Sequence, residues 1–445
     1  MIINDSIIAE GISTNVLARL LEKHGEGIDR LKKLKEYYLG HHAILSREKA
    51  TEGAANNRIV CNHAKYIVDM TLAYLIGTPV TYAAAQGHDI EPLKNAYFEQ
   101  DIASIDADIV KNMSIYGRAY ELVYAAEDSK PRSVYLSPEN TFVCYGQTAV
   151  KRPLLGVYYY NEYDFSGRIT GVVCDVYDDS YIYHYRAKGA SFNSLVLEGT
   201  EQHYFGAVPI IEYDNDPDRQ GDFEQCITLM DAYNTLQSDR VNDKEQFVEA
   251  FLFLKEIEVD SEGAKKLKKE KILLGYSESD AKYLSKVMSE SDVDVLRQTI
   301  KEDIHRFSMI PDISDEAFAG NLSGVAIKYK LLGFEQTVKN KERYIAKSLK
   351  KRFELYNSYL VLLGKMKPVP LHRVDVIFTH NLPANELETA QMINYLEGIC
   401  SNETLLDQLS FVTDAKEENE HAKQDRETEH IDKVKGTADI YEYNN

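Results

Sequence analysis

Residues 312–363 read DISDEAFAGNLSGVAIKYKLLGFEQTVKNKERYIAKSLKKRFELYNSYLVLL and combine a short loop with a long run that contains few helix breakers. Pro311 precedes the loop, and Gly320 and Gly324 punctuate it. Apolar and aromatic residues then recur at roughly helical spacing, at Val325, Leu332, Val338, Ile345, Leu349, Phe353, Tyr356 and Leu360. The pattern predicts a helix of about 39 residues and ~58 Å, with a kink at Gly333.

The composition is that of a globular protein with one to three domains. The chain has 445 residues, of which 44% are hydrophobic. No run of about 18 apolar residues occurs, so we expect no transmembrane helix. The first residues lack the basic region of a secretory signal. The five cysteines form no CxxC pair, which predicts reduced thiols in a cytosolic protein.

The net charge of −20 has two interpretations. Proteins that grip nucleic acid usually carry a basic excess, so the charge favours a protein that does not touch nucleic acid. Alternatively, an acidic channel wall would let nucleic acid slide, because it makes few of the phosphate contacts that hold a strand. The charge alone favours the first interpretation.

The first half of the chain predicts helices followed by a sheet. Residues 12–38, 60–76 and 101–116 show helical patterns. Between Ala119 and Tyr213 the apolar period changes to two, with turn residues between the runs, which predicts antiparallel strands. The many tyrosines of this region are typical of β-strands, although a base-stacking platform would use the same residues.

Two helices are predicted around a small insertion. The first, 222–250, is polar on nearly all sides in its middle, so it would bridge solvent or pack against other polar helices rather than enter a monomer's core. The second, 291–309, begins with Ser291 and Asp292 as N-cap residues. It carries one apolar stripe, which includes Leu296, Ile300, Ile304 and Phe307.

The insertion between these helices carries a lysine cluster. Its apolar runs at 251–254 and 271–274 resemble strands. The cluster comprises Lys265, Lys266, Lys268, Lys269 and Lys271. These lysines suit DNA or an acidic partner, and they also suit a simple solvated face.

The long helix is basic in an acidic protein, and because the rest of the chain supplies the complementary charge, this favours pairing with acidic protein surfaces over contact with nucleic acid. After a linker, residues 374–378 predict a strand that joins the preceding sheet, and 386–399 and 403–409 predict short helices. Beyond Thr413 the chain is rich in charge, as in a frayed helix or a disordered tail.

Three stretches resemble the portal proteins of tailed bacteriophages, in particular those of long-tailed phages and prophages of Gram-positive bacteria. The first is PDISDEAF at 311–318, followed by Gly-Asn at 320–321 and SGVA at 323–326. The others are NRIV at 57–60 with YIVD at 66–69, and YLIGTPV at 74–80. Order and spacing agree over roughly residues 30–400.

The resemblance implies an α+β portal fold with an α/β wing, a two-helix stem, a small α/β clip, a long kinked helix and a helical C-terminal crown. It implies these segments: wing 1–221, first stem helix 222–250, clip 251–289, second stem helix 290–311, tunnel loop 312–324, long helix and return to the wing 325–382, crown and acidic tail 383–445. The loop residues that it places near DNA are Asp312, Asp315, Glu316, Phe318, Asn321 and Ser323.

The implied function is mechanical. In the family, about twelve copies form a closed ring at one capsid vertex, through which double-stranded DNA is packaged and ejected. The implied partners are the terminase large subunit, the head-tail connector, the major capsid protein and the scaffolding protein, with no membrane, cofactor, metal or catalytic residue. The protein would be assembled in the bacterial cytoplasm and reside in the virion.

Two other functions stay open. Asp312, Asp315 and Glu316 could hold metal ions in a nuclease or phosphoesterase, although their spacing is not that of a calcium loop. A monomeric scaffold protein is the third hypothesis. No phosphate-binding GxxxxGK[ST] motif, GxSxG motif or HExxH motif occurs, so the sequence does not predict the packaging ATPase.

Overall fold

The computed structural model describes residues 1–4, 12–48, 55–247, 251–255, 280–284, 290–313, 324–380, 386–409, 411–412 and 414–424. Helices and sheets are both present, which confirms the α+β class. The chain divides into two compact units. Unit 1 comprises Met1–Leu31, Val68–Gly221 and Pro311–Asn445, and unit 2 comprises Lys32–Ile67 and Asp222–Ile310.

Apart from the helix at 91–99, which was not predicted, the helices lie close to their predicted positions. They are α1 (Thr14–Gly25), α2 (Ile28–Leu39), α3 (His63–Ile76), α4 (Glu91–Glu99), α5 (Ile102–Tyr116), α6 (Ile227–Phe247), α7 (Glu290–Ser308), α8 (Gly324–Leu362), α9 (Glu386–Leu396) and α10 (Asn402–Leu406). Ser13 caps α1, because its side chain accepts from the backbone N–H of Val16. By contrast, the predicted cap of α7 is wrong, since Ser291 already lies within the helix.

Among the described residues, eight strands occupy the predicted β-rich region and five lie outside it. They are β1 (Ile2–Ile3), β2 (Thr81–Ala84), β3 (Arg118–Ala125), β4 (Pro131–Leu136), β5 (Thr141–Gly146), β6 (Pro153–Tyr163), β7 (Ile169–Tyr177), β8 (Tyr181–Lys188), β9 (Val196–Gln202), β10 (Ile210–Asp214), β11 (Phe251–Lys255), β12 (Asp280–Leu284) and β13 (Val374–Ile377).

The largest sheet of unit 1 has six strands in the order β1-β5-β6-β7-β8-β9. Its pairs are antiparallel except β1 with β5. Leu17 and Leu21 of α1 are fully buried in one core with Phe142 and Val157 of the sheet. Because side chains alternate between the two faces of a strand, Tyr159 is buried in this core. Ordinary β-sheet packing thus accounts for such tyrosines.

A second sheet of unit 1 carries the long helix. Its order is β10-β3-β4, all antiparallel. Helix α5 leads into it through Gly117, whose φ of +82° is left-handed and where an added Cβ would lie 2.0 Å from the Arg219 carbonyl oxygen. The predicted strand at 374–378 exists as β13 but pairs with β2 in a separate two-stranded sheet, so its assignment to the large sheet is wrong.

Helix α8 has the predicted length of 39 residues. The buried side of the helix includes Val338, Ile345, Leu349, Phe353, Tyr356 and Leu360. Leu332 is the exception among the described members of the predicted stripe, because it is 48% exposed. Gly333 lies inside the continuous helix, and a kink there stays a prediction.

In unit 2, α6 and α7 are the two predicted stem helices and lie side by side. A guanidinium nitrogen of Arg240 lies 3.8 Å from a carboxylate oxygen of Asp294. Between the helices in sequence, β11 and β12 pair as antiparallel strands, while the predicted run 271–274 lies outside the described residues. Residues 32–67 also group with this unit. The segment boundaries implied by the resemblance stay a prediction.

Candidate functional site

The long helix is fixed to unit 1 by a buried arginine. Arg352 is fully buried, and its Nε donates to the two carboxylate oxygens of Glu121 on β3, at 2.7 and 3.0 Å. Its Nη1 lies 2.7 Å from Oδ1 of Asp106 on α5. The hydroxyl of Tyr213 on β10 donates to Glu121 at 2.5 Å. One guanidinium therefore joins α8 to a helix and to two neighbouring strands.

Burial and charge act in opposite directions within this cluster. Burial raises the pKa of Asp106 to about 6, although Arg352 acts to lower it. For Arg352, burial would lower the pKa, but the carboxylates of Asp106 and Glu121 outweigh it and hold the pKa well above its ordinary value. The guanidinium thus stays charged. Losing one partner of such a buried pair is costly, because the other charge is left unpaired in the interior.

Further polar contacts continue along α8. The ammonium of Lys341, which is buried, donates to the Ser114 hydroxyl at 2.7 Å. The Ser348 hydroxyl donates to the Glu212 carbonyl oxygen at 2.7 Å. Farther along, the Tyr356 hydroxyl lies 2.9 Å from that of Ser133. These contacts fix the rotation of the helix about its axis more sharply than apolar packing alone.

The predicted tunnel loop is only partly within the described residues. Asp312 is half-buried and Ile313 is 52% exposed. The other predicted loop residues, Asp315, Glu316, Phe318, Asn321 and Ser323, lie outside the described residues. The five lysines of the predicted clip, at 265, 266, 268, 269 and 271, lie outside them as well. The roles of all these residues stay predictions.

The apolar stripe predicted on the second stem helix is buried only in part. Ile304 is fully buried and Ile300 is half-buried. Leu296 is 51% exposed and Phe307 is 53% exposed within the single subunit. A charge at Leu296 would therefore meet water in the isolated subunit, whereas a charge at Ile304 would be buried. Packing of the whole stripe in a stem stays a prediction.

A row of side chains on α6 holds a segment of unit 2 that the sequence did not reveal. We call residues 55–62 the strap. Every second backbone N–H of the strap donates to the helix: Cys61 to Asn234 Oδ1 at 2.8 Å, Ile59 to Ser238 Oγ at 2.9 Å and Asn57 to Asn242 Oδ1 at 2.7 Å.

The spacing of the two partners explains the register. Four residues of an α-helix advance about 6 Å, and two residues of an extended chain advance about 6.6 Å. Acceptors at positions 234, 238 and 242 therefore match alternate N–H groups of an extended segment. Asn57 adds a side-chain contact, because its Nδ2 donates to Glu245 at 2.8 Å.

A buried histidine fixes the orientation of the first acceptor. His42 Nε2 lies 3.0 Å from the Tyr37 carbonyl oxygen, which only accepts, so Nε2 carries the proton. Nδ1 then accepts from Asn234 Nδ2 at 2.9 Å, which leaves Asn234 Oδ1 for Cys61. Burial lowers the pKa of His42, consistent with the neutral ring that this arrangement needs.

The strap corrects the interpretation of the polar middle of α6. That surface was expected to face solvent or other polar helices, yet Asn234 and Ser238 are fully buried and Asn242 is 6% exposed. The polar side chains satisfy backbone donors of the same chain. Small hydrogen-bonding residues repeated every four positions are the signal that could have indicated a bound extended segment.

Neither a metal site nor a membrane span is found in the part of the chain that the structure describes. No three His, Cys, Asp or Glu side chains gather there in a way that could hold a metal ion. Among the same residues no helix is both long and apolar enough to cross a bilayer. The carboxylates at 315 and 316 lie outside the described residues.

Comparison with known proteins identifies the family. The model of the family described as phage portal protein, SPP1 Gp6-like, matches residues 17–432. The chain belongs to this family. The match includes the strap, α6, α7 and all of α8, and it confirms the resemblance noted from residues 57–80 and 311–326.

Two curated portal proteins are related over most of their lengths. The portal protein of Bacillus phage SPP1 is 24% identical over 444 residues, covering 91% of this chain and 85% of the relative. That of Clostridium phage phiCD119 is 23% identical over 411 residues, covering 86% and 89%. Among solved structures, chains of gene transfer agent particles are similar: one from the neck of the empty particle is 16% identical with a TM-score of 0.44 and coverages of 76% and 86%.

Proposed function

We propose that copies of this chain assemble into a closed ring of about twelve subunits around a channel that passes double-stranded DNA. The observation that carries the proposal is the match to the portal family over residues 17–432. The match spans both structural units, so it concerns the architecture of the whole chain rather than one domain of it.

Features of the subunit support a mechanical role. Helix α8 follows the predicted tunnel loop directly and is fixed by the buried contacts of Arg352, Lys341 and Ser348. A force on the loop would therefore reach the sheets of unit 1 through a rigid element. The net charge of −20 suits a channel through which DNA slides, because few phosphate contacts would hold it.

The proposed partners follow from the same function. The clip would dock the terminase large subunit during packaging and the head-tail connector afterwards. The wing and crown would meet the major capsid and scaffolding proteins, so that the protein resides at a capsid vertex of the virion. The chain itself would make or break no bond.

A packaging assay tests the proposal. Particles assembled with this chain as their portal should contain double-stranded DNA that added nuclease cannot reach, and particles assembled without it should be empty. Equal amounts of protected DNA in both preparations would contradict the proposal. The metal-dependent nuclease hypothesis for Asp312, Asp315 and Glu316 predicts instead that the purified protein cleaves DNA when Mg²⁺ or Mn²⁺ is added.

A further inference from the structure

The outward side of α8 carries four cations that have no acidic partner among the described residues. We call Lys339, Arg343, Lys347 and Lys350 the cationic stripe. The first three are exposed and Lys350 is half-buried. Within the described part of the subunit none of the four forms an ion pair, and Arg343 donates a 3.5 Å hydrogen bond to the Asn340 side chain.

The stripe lies opposite the buried side of the helix. At about 100° per residue its centre is roughly 160° from the centre of the core-facing residues, and it extends ~16 Å along the axis. Two other cations of α8 have different tasks, since Lys341 and Arg352 are buried against Ser114 and Glu121. These two buried cations thus lie on a different side of the helix from the cationic stripe.

Like charges at this spacing oppose one another in the free subunit. Burial lowers the pKa of Lys351, and the neighbouring charge of Lys347 lowers it further. Residues three or four apart on a helix are neighbours, and like charges there are unfavourable. An acidic surface placed against the stripe would relieve this repulsion.

The exposed residues next to the cationic stripe indicate which kind of molecule carries the acidic surface. Toward the start of α8 the row continues with apolar residues, since Tyr329 is 76% and Leu332 is 48% exposed. Aromatic and apolar side chains are typical of the centre of a protein interface and polar side chains of its rim, whereas phosphate would gain nothing from the apolar part. The chain has 71 acidic and 51 basic residues, so a second copy offers a predominantly acidic surface.

We propose that the cationic stripe and the adjoining Tyr329 and Leu332 are a docking surface for an acidic surface of a second copy of this chain. The inference rests on the proposed ring, because a head-to-tail contact of two different surfaces is what closes such a ring. Electrostatic pairing of this kind fixes which surfaces meet, since like charges brought together in an interface are strongly unfavourable.

The test is charge reversal with a matched control. The stripe variant carries Lys339→Glu, Arg343→Glu and Lys347→Glu. The control variant carries Lys23→Glu, Lys151→Glu and Lys188→Glu, which are exposed residues of unit 1 and change the net charge equally. Circular dichroism establishes that both are folded, and sedimentation velocity measures assembly over a range of protein concentrations at low and high salt.

We expect the stripe variant to need at least about tenfold more protein for half-assembly, and the control to assemble like the wild type. Unchanged assembly of the stripe variant, or equal loss in both variants, would overturn the inference while the ring itself stands. If the stripe variant assembles normally but loses affinity for a DNA duplex, the stripe is a DNA contact instead. If the wild type forms no large assembly at any concentration, even with scaffolding and capsid proteins present, both the inference and the proposed ring fail.

Discussion

The strap on α6 offers a sharp test of the structural account. In Ser238→Ala the backbone N–H of Ile59 loses its acceptor, which lies 2.9 Å away and is fully buried. An unsatisfied buried donor costs about 1–3 kcal/mol, and because Ile59 is half-buried the lower end of this range applies. The strap should therefore open more readily, and its amide hydrogens should exchange about 5-fold faster.

Hydrogen exchange measured by mass spectrometry on a peptide that spans residues 55–62 reports this opening directly. Thr235→Ala is the matched control, because Thr235 lies on the same helix and is exposed, and its hydroxyl donates only to the Asp231 carbonyl oxygen of that helix. The control should leave exchange in the strap unchanged. Equal exchange rates in Ser238→Ala and the wild type would refute the assignment of the α6 row as the acceptor of the strap.

Other variants test separate parts of the molecule. Arg352→Met should destabilise unit 1 by about 3–5 kcal/mol, because two carboxylates lose their cation; a change below 1 kcal/mol in urea unfolding would contradict this. His24 has a pKa lowered to about 4 by burial, so stability should fall by about 3 kcal/mol as pH drops from about 6.5 to about 4, and the slope should flatten in His24→Gln. Ile304→Asp should destabilise the isolated subunit much more than Leu296→Asp, as read from thermal unfolding. Deletion of 315–321 should leave the ring intact but impair DNA packaging; normal packaging would reject the predicted tunnel loop.

The parts of the fold predicted from sequence are those that local patterns determine. The helical period of 325–363 predicts α8, and the period of two between Ala119 and Tyr213 predicts the antiparallel strands. The helical pattern of 101–116 predicts α5, which the structure ends before Gly117, where only glycine tolerates the backbone conformation and close approach. Each of these signals is contained in a short stretch of chain.

The parts that were missed depend on partners far apart in sequence. The strap meets α6 across 185 residues at Asn57 and Asn242, and no local pattern in either segment specifies the other. For the same reason β13 was assigned to the wrong sheet, since its pairing with β2 is set by tertiary contacts. In the candidate site, Arg352 is one of many basic residues in the sequence of the long helix. No local pattern shows that it is buried whereas the residues of the cationic stripe lie on the outward side.

The central claim is that the chain forms a ring with a channel, and negative-stain electron microscopy of the purified protein tests it most directly. The account predicts rings of about twelve subunits with a central hole wide enough for a DNA duplex. Particles that stay the size of a single 50.7 kDa subunit, even with scaffolding and capsid proteins present, would contradict it.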